Sequence, residues 1–197
     1  MSDGVTDLGV AIVGAGPYGL SVAAHCRAAR VPFALFGEPM GFWRHHVPPD
    51  MLLRSPAHLS SLSAPKGGPT LVDWLRARGV DAREPVTRER FVSYCDAFVA
   101  EHDLLRHARP GRVASLEREP SGALRLRLDT GSGSEAAPTA RAVVVATGQR
   151  GLAHVPPLLA ALSPARVTHT SDLRRAESGG GGVARVLVVG GAQSAFE

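Results

Sequence analysis

The sequence predicts an α/β fold with a parallel sheet at its centre, and three observations support this prediction. Residues 10–13 form a short apolar run that is typical of a buried strand, and a glycine-rich turn follows it directly. Residues 20–29 suit a helix, and residues 31–36 are a second apolar run. A third run, residues 142–146, has the composition of a fully buried strand. The order of strand, turn, helix and strand predicts a parallel unit at the start of the chain.

The glycine-rich turn has the spacing GxGxxG at residues 14–19, with Pro17 inside it. Gly14 permits a tight turn, Gly16 lets the backbone approach a pyrophosphate, and Gly19 lets the helix and the strand pack closely. The pyrophosphate would lie at the helix N-terminus, where unpaired N–H groups and the helix dipole attract an anion. Because the motif stands between a strand and a helix, it predicts dinucleotide binding. A purely structural glycine turn is the alternative.

An acidic residue after the second strand is typical of such a unit, because it binds the ribose hydroxyls of the dinucleotide. Glu38 is the candidate for this role, although Gly37 occupies the position where many sequences have the acid. The alternative is that Glu38 is a solvent-exposed charge in a loop.

A long segment, residues 39–69, follows the second strand and contains six prolines, which oppose long helices and central strands. It also contains large apolar residues such as Phe42, Trp43 and Met51, which oppose simple disorder. A long loop inside a compact domain is usually functional or disordered. We therefore expect this segment to lie over the bound cofactor and its reactive ring, with a packed surface loop as the alternative.

Two helices and an antiparallel pair of strands are predicted next. Thr70 is suited to cap a short helix that ends at Gly79, and Thr87 is suited to cap a longer one. The longer helix carries a stripe that is more typical of a core than of a site: Phe91, Tyr94, Cys95, Phe98, Val99 and His102. Residues 113–116 and 124–128 are predicted strands, and alternating leucine and arginine in the second indicates one buried face. This antiparallel meander should lie against the parallel sheet.

The C-terminal part begins where the strand at residues 142–146 ends in Thr147 and Gly148. Small residues at such a point let the backbone approach a ligand closely. A glycine-rich stretch at residues 178–182 is interpreted as a linker. Residues 184–195 then have the pattern of a buried strand followed by a second, imperfect dinucleotide turn.

The composition narrows the class of function. Of the 197 residues, 44% are hydrophobic and 20% are charged, as in ordinary soluble globular proteins. No apolar run approaches the roughly 20 residues that span a bilayer, and the acidic N-terminus lacks an apolar signal core, so we expect a cytoplasmic protein. Lys66 is the only lysine among 22 basic residues, and the scattered arginines argue against nucleic-acid binding. Cys26 and Cys95 form no metal-binding spacing and are expected in the core.

Four motifs together resemble a known family: GAGPYGL at residues 14–20, GFWRHHVPPDMLLRSP at residues 41–56, ATGQ at residues 146–149 and GGAQSAFE at residues 190–197. The chain resembles two-dinucleotide-binding flavoproteins, and most closely the flavin-containing monooxygenases and the related N-hydroxylating monooxygenases. The similarity runs through essentially the whole chain and corresponds to the N-terminal part of such a protein. It implies a Rossmann-like FAD-binding domain at residues 1–178. It also implies the truncated start of a second Rossmann-like domain, which binds NAD(P), at residues 183–197.

The resemblance also implies which residues bind the cofactors, FAD and NADPH. Pro17 and the three glycines of the first turn would hold the FAD pyrophosphate, and Glu38 would hold the ribose. Val113 would meet the adenine through its backbone. The residues near the flavin would be Trp43, Arg44, Met51 and Arg54. The residues that line the link between the two domains would be Ala146, Thr147 and Gly148, and those that begin the NADPH site would be Gly190, Gln193 and Ser194.

The reaction that the resemblance implies is a monooxygenation of a small-molecule substrate. NADPH reduces the flavin, the reduced flavin captures oxygen as a C4a-hydroperoxide, and a nitrogen or sulfur nucleophile takes the distal oxygen. The family fingerprint before His169 is degenerate, because Ser163 and Ala165 stand where phenylalanine and glycine are usual. The alternatives are a flavin-dependent pyridine-nucleotide reductase without oxygen insertion and a non-catalytic FAD-binding fragment. The resemblance does not include most of the NADPH domain. We therefore expect that these 197 residues alone do not catalyse the reaction.

Overall fold

The computed structural model describes residues 8–65, 67–129, 134–148, 154–163, 166–169 and 187–190. The strands are, in chain order, β1 (Leu8–Val13), β2 (Phe33–Phe36), β3 (Ala108–Arg109), β4 (Arg112–Arg118), β5 (Leu124–Asp129) and β6 (Ser134–Val145). The α-helices are α1 (Pro17–Ala28), α2 (Gly41–His45), α3 (Leu71–Arg76), α4 (Arg88–Glu101) and α5 (Pro157–Ala160). Single turns of 3-10 helix occur at Ala57–Leu59 and Leu105–His107. Across these described ranges, no helix is long and apolar enough to cross a membrane.

The six strands form one sheet in the order β3-β2-β1-β6-β5-β4. β3, β2, β1 and β6 are parallel, whereas β5 is antiparallel to both of its neighbours. The predicted parallel set is therefore confirmed. β6 joins the two parts, because Ala140 pairs with Leu8 of β1 on one side and with Leu124 of β5 on the other. The antiparallel strands extend the same sheet instead of lying against it, because the 12-residue β6 is long enough to serve both.

Helices α1, α3 and α4 are joined to the sheet by one large apolar cluster. Ile12 and Leu35 contribute from β1 and β2, and Leu20 contributes from α1; all three are fully buried. Five of the six stripe residues predicted for α4 lie in the same cluster, where Tyr94 and Cys95 are inaccessible to solvent or nearly so. The sixth, His102, is the half-buried residue at the C-terminal end of the helix and packs against the Phe98 ring. Burying one such apolar side chain contributes about 1.5–3 kcal/mol. This burial holds the start of α1 in place beside the end of β1.

A smaller apolar cluster involves the neighbouring residues of the same strands, which point to the opposite face of the sheet. It contains Ala11, Ala34 and Leu126, all of which are buried. The alternation predicted for β5 is confirmed, because Leu126 lies in this cluster while Arg127 is exposed and pairs with Glu117 of β4 at 2.6 Å.

Both predicted helix caps are present. The Thr70 hydroxyl accepts a hydrogen bond from the Asp73 N–H at 3.1 Å, and the Asp73 carboxylate accepts one from the Thr70 N–H at 3.2 Å. These reciprocal bonds form a capping box at the start of α3. Thr87 accepts a hydrogen bond from the Arg90 N–H and begins α4 in the same way.

Two predictions about buried strands are wrong. The second half of β6 is not fully buried, since Ala142 is exposed and 67% of Val145 is accessible. Among the described residues, positions 142–145 of β6 pair with β1 alone, because β5 pairs with β6 only as far as Ala140. Residues 187–189 are exposed and are not in a strand; a strand needs a hydrogen-bonded neighbour, and these three pair with none of the described residues. The predicted linker at residues 178–182 lies outside the described residues.

Candidate functional site

The first glycine of the GxGxxG motif lies at a point of close backbone contact. Gly14 has φ = +109°, a conformation that favours glycine, and its N–H donates to the Phe36 carbonyl at 2.9 Å. A Cβ atom on Gly14 would lie 2.3 Å from the Ala146 carbonyl oxygen and 3.0 Å from the Thr147 nitrogen. The turn is therefore held between the ends of β2 and β6.

The other two glycines differ in how closely other atoms approach them. A Cβ on Gly19 would lie 1.9 Å from the Gly14 carbonyl oxygen, so only glycine lets α1 approach the turn this closely. A Cβ on Gly16 would meet no atom of the described residues within 4 Å, and its backbone (φ −77°, ψ −174°) is open to any residue. Contacts within this part of the chain therefore give no steric reason for glycine at this position. Open space beside Gly16 fits the predicted approach of a pyrophosphate to the backbone.

The N-terminus of α1 faces the same space with backbone donors. Gly16 is the N-cap and Pro17 the first helical residue; no side chain caps the helix, and its first turn contains no acidic residue. The Leu20 N–H donates to the Gly16 carbonyl at 2.9 Å, and the N–H groups that precede it have no partner within a helix. Tyr18, which carries one of these N–H groups, is 83% exposed, whereas Gly19, which carries the next, is buried. Such a terminus attracts an anion.

Glu38 follows the end of β2 beside the turn. Gly37, with φ = +120°, lies against Ala15, since a Cβ on Gly37 would be 3.6 Å from the Ala15 nitrogen. Both carboxylate oxygens of Glu38 are 2.9 Å from the Nε2 atom of His45 in α2. The side chain is 56% exposed, but it is not an unpaired loop charge. Its role toward a ribose remains a prediction.

The end of β6 and the strand β3 reach the same edge of the sheet. The Ala146 N–H donates to the Val13 carbonyl at 2.7 Å, and the exposed Thr147 and Gly148 follow it beside the glycine turn. β3 pairs with the end of β2, and the Gly37 N–H donates to the Arg109 carbonyl at 3.3 Å. Val113 of β4 pairs with Leu128, and β4 is at the other end of the strand order from β3. Its role toward the adenine stays a prediction.

Three of the residues predicted to lie near the flavin, Trp43, Arg44 and Met51, contact residues of α4. The Trp43 ring centre lies 4.8 Å from that of Phe91, and the Arg44 guanidinium is paired with Asp96. The Met51 carbonyl accepts a hydrogen bond from the Arg88 N–H at 3.0 Å. These contacts fix the part of the segment at residues 43–51 despite the prolines. None of them connects the segment to the glycine turn, so roles near the flavin stay predictions.

Arg54 is exposed, just after the short bridge between Leu52 and Thr87. A cavity of about 390 Å³ near this segment is lined by Arg44, Arg88, Glu89, Val92, Ser93 and Asp96. It shares no lining residue with the glycine turn. Gly190 is exposed with φ = +138°, whereas Gln193 and Ser194 lie outside the described residues.

The residues that connect helix α2 to the glycine turn were not predicted from the sequence. Met40 is buried with φ = +58°, and its N–H donates to the Ala15 carbonyl at 2.9 Å. The chain thereby reverses and begins α2 at Gly41. The prolines of the segment argue against a helix, so this short helix was not predicted. Gly41 is the one local feature of the sequence that indicates a close contact.

A parallel sheet with a glycine turn between β1 and α1, and with an acidic residue after β2, defines a Rossmann-type dinucleotide-binding fold. Residues 6–197 match the family of L-lysine 6-monooxygenase/L-ornithine 5-monooxygenase. The chain belongs to this family.

Solved structures share the fold. A flavin-containing monooxygenase from Stenotrophomonas maltophilia is 24% identical with a TM-score of 0.57; the match covers 76% of this chain and 41% of that one. An ornithine N-hydroxylase from Kutzneria sp. 744 is 20% identical with a TM-score of 0.55, covering 72% and 37%. A steroid monooxygenase bound to NADP is 23% identical with a TM-score of 0.55, covering 73% and 26%. The chain thus spans well under half the length of these structures. A comparison with curated protein sequences found no match.

Proposed function

We propose that this chain binds FAD at the glycine turn and forms the FAD-binding part of an NADPH-using monooxygenase. The observation that carries the proposal is the open space beside Gly16 at the uncapped N-terminus of α1. No contact with the described residues requires glycine there, whereas the close approach of a pyrophosphate to the helix terminus would. Membership of a monooxygenase family supports FAD as the dinucleotide.

Each part of FAD has a proposed contact in this chain. The N–H groups at the start of α1 would bind the pyrophosphate, with Gly14 and Gly19 bringing the helix to it. Glu38 would accept hydrogen bonds from the ribose hydroxyls, and the Val113 backbone would meet the adenine. FAD supplies the redox and oxygen chemistry when bound, and the protein supplies binding, orientation and exclusion of water. The NADPH site would begin at Gly190, Gln193 and Ser194.

The family indicates which kind of nitrogen or sulfur nucleophile accepts the oxygen atom. Its description names lysine and ornithine, and one structural neighbour is an ornithine N-hydroxylase. We therefore propose the side-chain amine of a basic amino acid as the acceptor. The balanced reaction is R–NH₂ + O₂ + NADPH + H⁺ giving R–NHOH + H₂O + NADP⁺. One oxygen atom enters the new N–O bond, and NADPH provides the two electrons that reduce the other to water.

The test separates this proposal from the reductase and from a non-catalytic FAD-binding module. A protein that contains this chain and a complete NADPH-binding domain is loaded with FAD and given NADPH, oxygen and either ornithine or lysine. The proposal predicts a hydroxylamine product that requires NADPH. Consumption of NADPH with hydrogen peroxide as the sole oxygen product would contradict oxygen insertion, and retention of FAD without NADPH consumption would contradict any redox role.

A further inference from the structure

Two residues of helix α2 contact the Glu38 side chain, and neither of them belongs to the dinucleotide motif. His45 Nε2 lies 2.9 Å from each carboxylate oxygen. One turn earlier on the same helix, a Cβ on Gly41 would lie 2.9 Å from Glu38 Oε2 and 3.1 Å from Glu38 Cβ. The side chain therefore lies directly over Gly41 and ends at His45.

The helix that holds this carboxylate is itself fastened to the glycine turn. The Met40 N–H donates to the carbonyl of Ala15, which lies between the first two glycines of the motif. The Gly41 N–H donates to the Glu38 carbonyl at 3.0 Å, and the Arg44 N–H donates to the Met40 carbonyl at 3.0 Å. Met40 adopts the left-handed conformation and is fully buried, so the reversal of the chain is fixed by packing. The carboxylate thus has a defined place relative to the turn.

This arrangement leaves Glu38 able to bind a ligand. An ionised carboxylate has about four lone-pair positions, and a single N–H shared between its two oxygens leaves most of them available. The side chain is 56% exposed, so vicinal hydroxyl groups can reach it from solvent. A glutamate without such support would have to order several rotatable bonds when it binds a ligand, which lowers affinity.

We propose that His45 and Gly41 are positioning residues that preset the Glu38 carboxylate to bind the vicinal ribose hydroxyls of the dinucleotide. This inference rests on the proposed function, because it needs a dinucleotide at the glycine turn. Both would be specificity-determining residues. His45 acts through a hydrogen bond, and Gly41 acts through the absence of a side chain.

The test compares FAD with the analogue whose adenosine lacks the 2′ and 3′ hydroxyls, each titrated by flavin fluorescence. The unsubstituted chain should prefer FAD about tenfold, the low end for a hydrogen bond to a charged group because the site is half exposed. His45→Leu removes the donor and should reduce this preference to about twofold or less. His45→Gln keeps an N–H donor near the Nε2 position and should retain most of it.

Gly41→Ala tests the same idea by a different route, because its methyl group would displace Glu38 Oε2 while His45 stays intact. It should also lower the preference for FAD over the analogue. His58→Leu is the matched control, since His58 is exposed and has no part in this arrangement; it should keep the full preference. Thermal unfolding of every variant checks that the fold is retained.

The outcomes separate the inference from the proposed function. If His45→Leu weakens FAD and the analogue equally, its role is structural and the inference is wrong. Tighter FAD binding by His45→Leu would mean that His45 competes with the ribose, which also overturns the inference. If the unsubstituted chain binds FAD but shows no preference over the analogue, Glu38 does not bind the ribose. Absence of FAD binding by the unsubstituted chain would overturn the proposed function itself.

Discussion

The contrast between Gly16 and Gly19 gives a prediction that separates ligand binding from folding. A methyl group at Gly19 would lie 1.9 Å from the Gly14 carbonyl oxygen, whereas ordinary van der Waals contact begins near 3.4 Å. The obstructing atom belongs to the backbone of a tight turn and cannot rotate away. A methyl group at Gly16 would meet no atom within 4 Å among the residues that the structure describes.

These distances translate into different stability changes. Overpacking costs about 1–3 kcal/mol, and contact with a rigid carbonyl belongs at the upper end. Alanine is favoured over glycine within a helix by about 1 kcal/mol, which offsets part of this cost. Gly19→Ala should therefore destabilise the protein by about 2 kcal/mol, which lowers Tm by roughly 4–8 °C for a chain of this length. Gly16→Ala should cost at most about 1 kcal/mol, because Gly16 is the N-cap of α1 and glycine is favoured over alanine there.

Affinity for FAD should follow a different pattern. Gly16→Ala places a methyl group in the space that the pyrophosphate would occupy and should weaken FAD binding at least about tenfold, the equivalent of one lost hydrogen bond to a charged group. Urea and thermal unfolding without FAD, followed by circular dichroism, measure the stability of each variant. Flavin fluorescence measures the affinity. Destabilisation by Gly16→Ala equal to that by Gly19→Ala, or unchanged FAD affinity of Gly16→Ala, would refute this reasoning.

Two further predictions concern the described helices. Thr70→Ala removes the side-chain acceptor of the capping box and should lower the free energy of unfolding by about 1 kcal/mol in urea titrations, while Thr70→Ser should retain it; equal stability of the two variants would contradict the capping role. Burial raises the pKa of the Cys95 thiol, which is fully buried, and raises that of the half-buried Cys26 as well. Iodoacetamide at pH 8 should therefore modify Cys26 before Cys95 as judged by peptide mass spectrometry, and faster modification of Cys95 in the folded protein would contradict the packing of α4.

The glycine turn could be predicted from sequence because its physical requirements are local. A positive φ at Gly14 and a close helix contact at Gly19 each exclude a side chain, and both act within six residues of chain. The apolar stripe of α4 was predictable for a similar reason, since helical spacing determines which residues share a face.

The continuity of the sheet could not be predicted, because the first half of β6 does not have a strand-like sequence. Pro138 and small or polar neighbours favour a turn there, and proline removes a backbone donor. In the structure Pro138 falls at the register shift between β5 and β6, where Ala136 and Thr139 pair with Arg127 and Arg125. An irregularity of this kind tolerates a missing N–H.

The partner of Glu38 could not be predicted either. His45 is seven residues away on a five-residue helix, too short for apolar periodicity to reveal. The contact depends on the chain reversal at Met40, whose left-handed conformation is uncommon for a residue other than glycine. The packing of Trp43 and Arg44 against α4 also depends on tertiary structure, which explains why the sequence indicated an ordered segment without indicating what it contacts.

An equilibrium titration of FAD into the purified chain measures whether FAD binds through its pyrophosphate at the glycine turn. We expect saturable binding with one FAD per chain, a resolved flavin absorption band and competition by ADP, which carries the same pyrophosphate and ribose. Gly16→Val, which fills the space beside the N-terminus of α1, should abolish this binding without unfolding the protein. Equal retention of FAD by the unsubstituted chain and by a folded Gly16→Val variant would contradict this expectation.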